Sequence, residues 1–157
     1  MKSLKGESTS LSNRDPIVGF AIREMTIHDY GEVLVLWQAS EGVGLSDADS
    51  EESIARYLDR NPGLSFVAHD GGRLVGAVLC GHDDRRGYVH HLAVSEPHRR
   101  QGLGRALVER CLSALGRAGI AKCHIFVFAD NQATIAFWKS IGWTQRLELI
   151  MMSQYTQ

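Results

Sequence analysis

Apolar residues along this chain recur with two periods, and the places where one period gives way to the other mark its elements. Residues 1 to 15 are polar and serine-rich and are expected to form a flexible tail, with the folded domain running from 16 to 157. The run "IVGFAI" (17 to 22) has the composition of a strand. In "TIHDYGEVLVLWQAS", Thr26 is a candidate N-cap, and Ile27, Tyr30, Val33, Leu34 and Trp37 fall at helical spacing. The loop "EGVGLSDADS" leads into a short helix over "EESIARYLDR", with Ile54, Tyr57 and Leu58 on one side, and "NPG" stops it.

The period then shortens to two. "LSFVAH" and "RLVGAVLCGH" are β-rich runs joined by "DGG", a hairpin signal, and "GYVHHLAVS" follows the polar turn "DDRR", so three neighbouring antiparallel strands are expected. From Gly102 the helical period returns, with Leu103, Leu107, Cys111, Ala114 and Ala118 as a stripe and Gly119 placed to end it. "IAKCHIFVF" reads as a strand. "ADNQATIAFWKSIGW" reads as a helix with Asp130 or Asn131 as N-cap and Gly142 as its stop, and "TQRLELIMM" as a closing strand apolar enough to form a subunit interface. This order predicts one α/β domain with a mixed sheet and at least one crossover, without repeat or linker.

Composition narrows the function. With 44% hydrophobic and 22% charged residues the chain is an ordinary globular one, and Lys+Arg 17 against Asp+Glu 18 gives no general attraction to nucleic acid or to an anionic membrane. Cys80, Cys111 and Cys123 are odd in number, form no CxxC pair and sit in apolar runs, so they read as buried free thiols of a reducing compartment; no metal site is expected. No apolar run reaches the length of a membrane span, and "MKSLKGESTSLSNRD" lacks the apolar core of a secretory signal. A cytoplasmic location is therefore expected.

The candidate chemistry lies in "YVHHLAVSEPHRRQGLGRAL", residues 88 to 107, where a strand ends, a short basic loop follows, and a helix begins. The first turn of a helix has unpaired N–H groups and a positive dipole end, and glycines let a phosphate approach the backbone, so the stretch is suited to cradling a pyrophosphate. Arg99, Arg100 and Arg105 would supply further charge. A P-loop is absent, and the dinucleotide fingerprint that begins at Gly102 and Gly104 fails because Leu107 occupies its third glycine.

What does fit is Arg-x-x-Gly-x-Gly, spelled by Arg99, Gly102 and Gly104 directly after the strand ending "HLAV". Here the sequence resembles the GCN5-related N-acetyltransferases, whose acetyl-CoA motif lies between the fourth strand and third helix. A second family motif is matched by Asn131, Thr134 to Trp138, Gly142 and Trp143, and the likeness covers about residues 17 to 152. It implies a mostly antiparallel mixed sheet flanked by helices, with splayed fourth and fifth strands, and acetyl-CoA as cosubstrate. It also implies that the backbone of Leu92, Ala93 and Val94 pairs with the pantetheine arm. The amides of Arg99, Arg100, Gln101, Gly102, Leu103, Gly104 and Arg105 would face the pyrophosphate, while Asn131, Phe137 and Trp138 would lie along the CoA side.

Three usual catalytic places of the family lack their usual group. Phe126 and Tyr88 stand where a glutamate base is found, and Trp138 replaces a tyrosine acid; an indole cannot release a proton near neutral pH. Tyr88 and His90 are the candidate catalytic residues, His90 matching a fourth-strand histidine of arylalkylamine acetyltransferases. Strand alternation puts Tyr88, His90, Leu92 and Val94 on one face and His91 on the other. His82 and His124 are secondary candidates. The acceptor side falls on residues 41 to 60, where Glu41, Asp47, Asp49, Glu51 and Glu52 would favour a cationic amine, although helix capping alone produces the same pattern. The resemblance implies direct acetyl transfer to a primary amine of a small molecule. Acetylation of a protein N-terminus or lysine, and CoA binding without turnover, are the alternatives, and a homodimer is expected.

Overall fold

The computed structural model describes residues 19–157, so the expected tail lies outside the described residues. β1 (Ala21–Glu24) takes in the end of the apolar run that announced it and continues two residues past it. A 3-10 turn, Ile27–Asp29, capped by Thr26, runs into α1 (Tyr30–Gln38). Asp29 fixes this corner: its carboxylate accepts from the Thr26 amide at 2.8 Å and from both terminal nitrogens of Arg23 at 2.6 and 2.8 Å. A second 3-10 turn, Asp47–Asp49, precedes α2 (Glu51–Arg60), whose N-cap Ser50 accepts from the Ser53 amide.

The remaining elements are β2 (Phe66–Asp70), β3 (Arg73–His82), β4 (Gly87–Val94), α3 (Leu103–Arg117), β5 (Cys123–Ile125) and α4 (Gln132–Ser140). The sheet order is β1-β2-β3-β4-β5, antiparallel throughout except for the parallel pair β4 and β5 that the α3 crossover requires. One face carries Val33, Trp37 and Ile54 from α1 and α2 against Val67, Ala77 and Leu79. The opposite face carries Leu103, Leu107, Val108 and Cys111 of α3 and Trp138 of α4 against Val78, Cys80 and Val89. In α3, Leu115 is buried and Ala118 exposed, because the buried row advances by four residues from Cys111 rather than seven.

Two features of the sheet shape the site. β5 pairs with β4 only at Gly87, Tyr88 and Val89, so from His90 onward the two strands part. At that point β4 is also irregular: its register against β3 shifts between Ala77 and Leu79, so that His91 and Leu92 stand against Val78 alone, and His91 takes a left-handed backbone with φ 50°.

This bulge overturns the expected alternation. Leu92 and Val94 pack with the α3 layer, not on the Tyr88 and His90 face, and Ala93 turns toward α1. His91 also faces the α1 and α2 side, its ring 5.0 Å from that of Trp37, so the two histidines share a face. An inserted residue restarts the period of two, and nothing in the letters "HHLAV" marks where.

The expected closing strand is absent. Residues 144–152 pair with no strand, and Leu147 and Ile150 are 83% and 87% exposed. β5 is three residues long and offers a short edge, so the apolar run "LELIMM" has no long partner strand among the described residues.

Candidate active site

The loop between β4 and α3 contains a 3-10 turn, Glu96–His98, followed by left-handed backbone at Arg100 (φ 61°) and at Gly102 (φ 81°), the N-cap of α3. The Ala106 amide donates to the Gly102 carbonyl at 3.0 Å as the helix gets under way. The amides of Leu103, Gly104 and Arg105 therefore belong to the open first turn, at the positive end of the helix dipole. Gly104 is held closely: a Cβ there would lie 3.3 Å from Cζ of Phe137 and 3.8 Å from Cγ2 of Val94. The start of α3, the end of β4 and α4 thus converge on one glycine.

The arginines of the loop are used differently from one another. Arg99 donates from Nε to the Val94 carbonyl at 2.9 Å and ties the loop to the strand, while Arg105 donates from Nε to Glu109 at 2.9 Å and shares its charge along the helix. Gln101 reaches back to the Pro97 carbonyl at 3.3 Å. Arg100 makes no such contact among the described residues and is the guanidinium best available to an anion.

On α4, Asn131 is the N-cap: its Oδ1 accepts from the Thr134 amide at 3.0 Å. Its Nδ2 presses on Gly42, where a Cβ would sit 2.5 Å away, so the loop after α1 meets the segment leading into α4. Trp138 is 5% exposed, between Phe137 and Trp143 at ring distances of 5.4 and 4.7 Å. It is a core side chain.

A cavity of about 240 Å³ opens on the α2 side, its wall formed in part by Tyr57, Asn61, Gly81, His82, Tyr88 and His90. Gly81 makes it possible, because a Cβ there would meet the Tyr57 hydroxyl at 2.5 Å and Asn61 at 2.7 Å. Asn61 is fully engaged, donating to the Tyr57 carbonyl and accepting from the His82 amide. The buried Tyr57 hydroxyl has no partner among the described residues, and burial pushes its pKa well up. His90 lies 6.2 Å from the Tyr57 ring at a steep angle, and Tyr88, His90 and Phe126 have nearly parallel rings 6.3 to 6.4 Å apart. Burial, and secondly the neighbouring His91, lower the His90 pKa below its ordinary value, with Asp49 opposing. An imidazole so placed stays neutral and able to accept a proton at pH 7.

Two of the five carboxylates expected to attract a cation are otherwise occupied. Asp49 is bonded to His91 Nε2 at 2.6 Å through Oδ1 and accepts from the Ser46 amide at 2.8 Å through Oδ2, and Glu52 pairs with Arg56. Asp47 and Glu51 stand in first turns, as capping requires. Of the secondary histidines, His82 borders the cavity and accepts from the Asp84 amide, while His124 lies 5.8 Å from Tyr88. Tyr57, Asn61 and the Asp49–His91 contact had no signal in sequence beyond Gly81, a glycine inside a strand, which marks a close approach without naming its partner.

The model of the Acetyltransferase (GNAT) family matches residues 30–143. A curated relative, the acetyltransferase SG1711 of Sodalis glossinidius, is 29% identical over 133 residues, covering 85% of this chain and 93% of its own. Among solved structures, the ribosomal-protein-S18-alanine N-acetyltransferase of Escherichia coli superposes with TM-score 0.64 at 26% identity, over 78% of this chain and 76% of that one. The paia N-acetyltransferase of Thermoplasma acidophilum, solved in complex with coenzyme A, shares the fold with TM-score 0.68 at 16% identity, over 80% and 89%. With the motif loop, the split strands and more than half of the chain matched, the protein belongs to the GNAT acetyltransferase family and is an acyltransferase that uses acetyl-CoA.

Proposed function

We propose that the protein transfers acetyl from acetyl-CoA to a primary amine of a small molecule bound in the Tyr57–His90 cavity. The observation that carries this reading is the size and position of the cavity. At about 240 Å³ it suits a compact acceptor, and His90 on its wall lies where β4 leaves β5. Acetyl-CoA would lie with its pyrophosphate on the 99 to 105 amides and Arg100, and its arm along Leu92, Ala93 and Val94. Asn131 and Phe137 would border the arm through the shape of the Gly42 and Gly104 contacts; Trp138 would act only by supporting Phe137.

The neutral amine attacks the thioester carbonyl carbon, the C–S bond breaks, and the amine's proton passes to His90 and then to solvent. The thiolate takes its proton from water, since Trp138 cannot supply one. Tyr88 shapes the His90 side of the cavity. A backbone amide left out of the ladder at the β4 bulge is a donor for the developing oxyanion.

A second reading, acetylation of a protein N-terminus, is favoured by the 26% identity to an alanine N-acetyltransferase. Release of free thiol from acetyl-CoA across a panel of small amines tests the first reading. Acetylation confined to a peptide mixture, read by mass spectrometry, would replace it by the second. In either case the exposed "LELIMM" run and the open β5 edge support a homodimer, and the absence of any long apolar helix among the described residues accords with a cytoplasmic protein.

A further inference from the structure

We propose that Asp49 and His91 are a positioning pair for acetyl transfer: by holding His91 in a left-handed backbone they fix the β4 bulge, and with it the amide that polarises the acetyl carbonyl. The proposal concerns the thioester half of the reaction and holds whichever amine accepts.

The argument starts from the backbone. A non-glycine residue at φ 50° is uncommon, even though histidine tolerates it better than most, and costs on the order of 1 kcal/mol, so a contact that holds it there matters. Two holds are present on the two ends of the residue. Its carbonyl accepts from the Trp37 indole at 3.0 Å, and its Nε2 meets Asp49 Oδ1 at 2.6 Å, with the imidazole packed edge-on to Trp37. Asp49 is itself immobilised: Oδ2 accepts the Ser46 amide at 2.8 Å, its carbonyl accepts from the Tyr30 hydroxyl at 2.9 Å, and its side chain is 11% exposed. A largely buried, anchored carboxylate against a largely buried imidazole is a stiff contact, unlike an exposed surface pair.

What this contact controls follows from the register. With His91 and Leu92 opposite Val78 alone, one amide there has no ladder partner, and it lies just beyond the last β4–β5 pair, where the sheet is open. Donors of this kind are effective only when held at the right place before the reaction begins. His91 does not border the Tyr57 cavity, so its action on the reaction runs through the backbone it holds.

The test uses acetyl-CoA labelled with ¹³C at the thioester carbonyl, bound to the full chain and observed by infrared difference spectroscopy. In the wild-type protein the carbonyl band is expected at lower frequency than in free acetyl-CoA. Asp49→Ala, which removes the bond to His91 Nε2 and leaves the torsions of residue 91 to relax, and His91→Asn, which tolerates positive φ but cannot reach Asp49, should each return the band toward the free position. Acetyl-CoA affinity by calorimetry should stay within about twofold, and kcat with the best amine or peptide should fall about 10-fold or more. The double variant should be no worse than the poorer single one. A wild-type band in both variants overturns the proposal. So does loss of acetyl-CoA affinity in step with the band, which would make the pair part of the binding site. Asp49→Ala decides alone if His91→Asn fails to fold.

Discussion

The rings of His90 and His91, consecutive residues of one strand, lie on the same side of the sheet with centroids 6.4 Å apart, yet they meet different partners: His90 the Tyr57 ring and the cavity, His91 the Asp49 carboxylate. One histidine, its pKa lowered by burial, thereby borders the cavity, and the other is hydrogen-bonded to a carboxylate. The groups facing His90 are Tyr57 from α2, Tyr88 and His91 from β4, Asp49 ahead of α2, and Phe126 after β5.

This separation predicts a pH profile. Burial first, then His91, lowers the His90 pKa, so the acid limb of kcat/KM should have its midpoint below the ordinary histidine value of about 6.5. His90→Gln should lower kcat/KM by about 10²-fold or more and remove that limb, with acetyl-CoA affinity nearly intact. The same shift bears on stability: the unfolded chain binds the proton more readily than the folded one. The contribution of a neutral His90 is therefore complete above about pH 6.5 and is lost as pH falls toward the lowered folded value. Trp138→Phe should change kcat/KM little and cost about 1–2 kcal/mol by denaturant unfolding, as a large-to-small change in the core does. A His90→Gln enzyme with wild-type rate and profile would make the histidine structural.

The phosphate loop gives a second prediction. Gly104→Glu adds a side chain where a Cβ already comes within 3.3 Å of Phe137, and adds a negative charge to the open first turn of α3. Calorimetry should show acetyl-CoA affinity reduced at least about 10-fold while far-UV circular dichroism is kept. Unchanged affinity would move the pyrophosphate elsewhere.

How much of this could be read from the letters varies with the kind of interaction. The motif loop was legible because Arg99, Gly102 and Gly104 act through local backbone: a glycine at φ 81° capping a helix is a property of neighbouring residues. The hairpin at Gly71 and Gly72 and the burial of Leu103, Leu107 and Cys111 were legible for the same reason. The face of His91 was not, because one inserted residue in β4 reverses every later side chain and the carboxylate that His91 meets, Asp49, lies 42 positions away. "LELIMM" shows the remaining limit. Apolar composition reports a need for burial, while the partner strand is a matter of the whole sheet.

Tyr57 yields a test of whether the cavity is used. Its hydroxyl is buried without a partner among the described residues, a state that costs stability, so Tyr57→Phe should leave the protein as stable as before or up to about 1 kcal/mol more so. If the hydroxyl turns to bond the acceptor, the same change raises the amine KM several-fold and spares acetyl-CoA affinity. A destabilised Tyr57→Phe would mean that the hydroxyl already has a partner, such as a water, in solution.

Association through the C-terminal run can be decided by light scattering. Residues 147, 149, 150, 151 and 152 are apolar and at least 60% exposed, and β5 is the last strand in the sheet order. Pairing of these segments between two copies would bury both, and a two-fold arrangement lets each copy give and receive the same surface. A dimer is therefore expected at tens of micromolar, roughly the range in which weak self-association is populated. Ile150→Asp with Met152→Asp should shift it to monomer without altering the thermal midpoint of the core, because neither side chain contributes to the two buried clusters. A monomer for the unaltered protein at that concentration would remove the dimer.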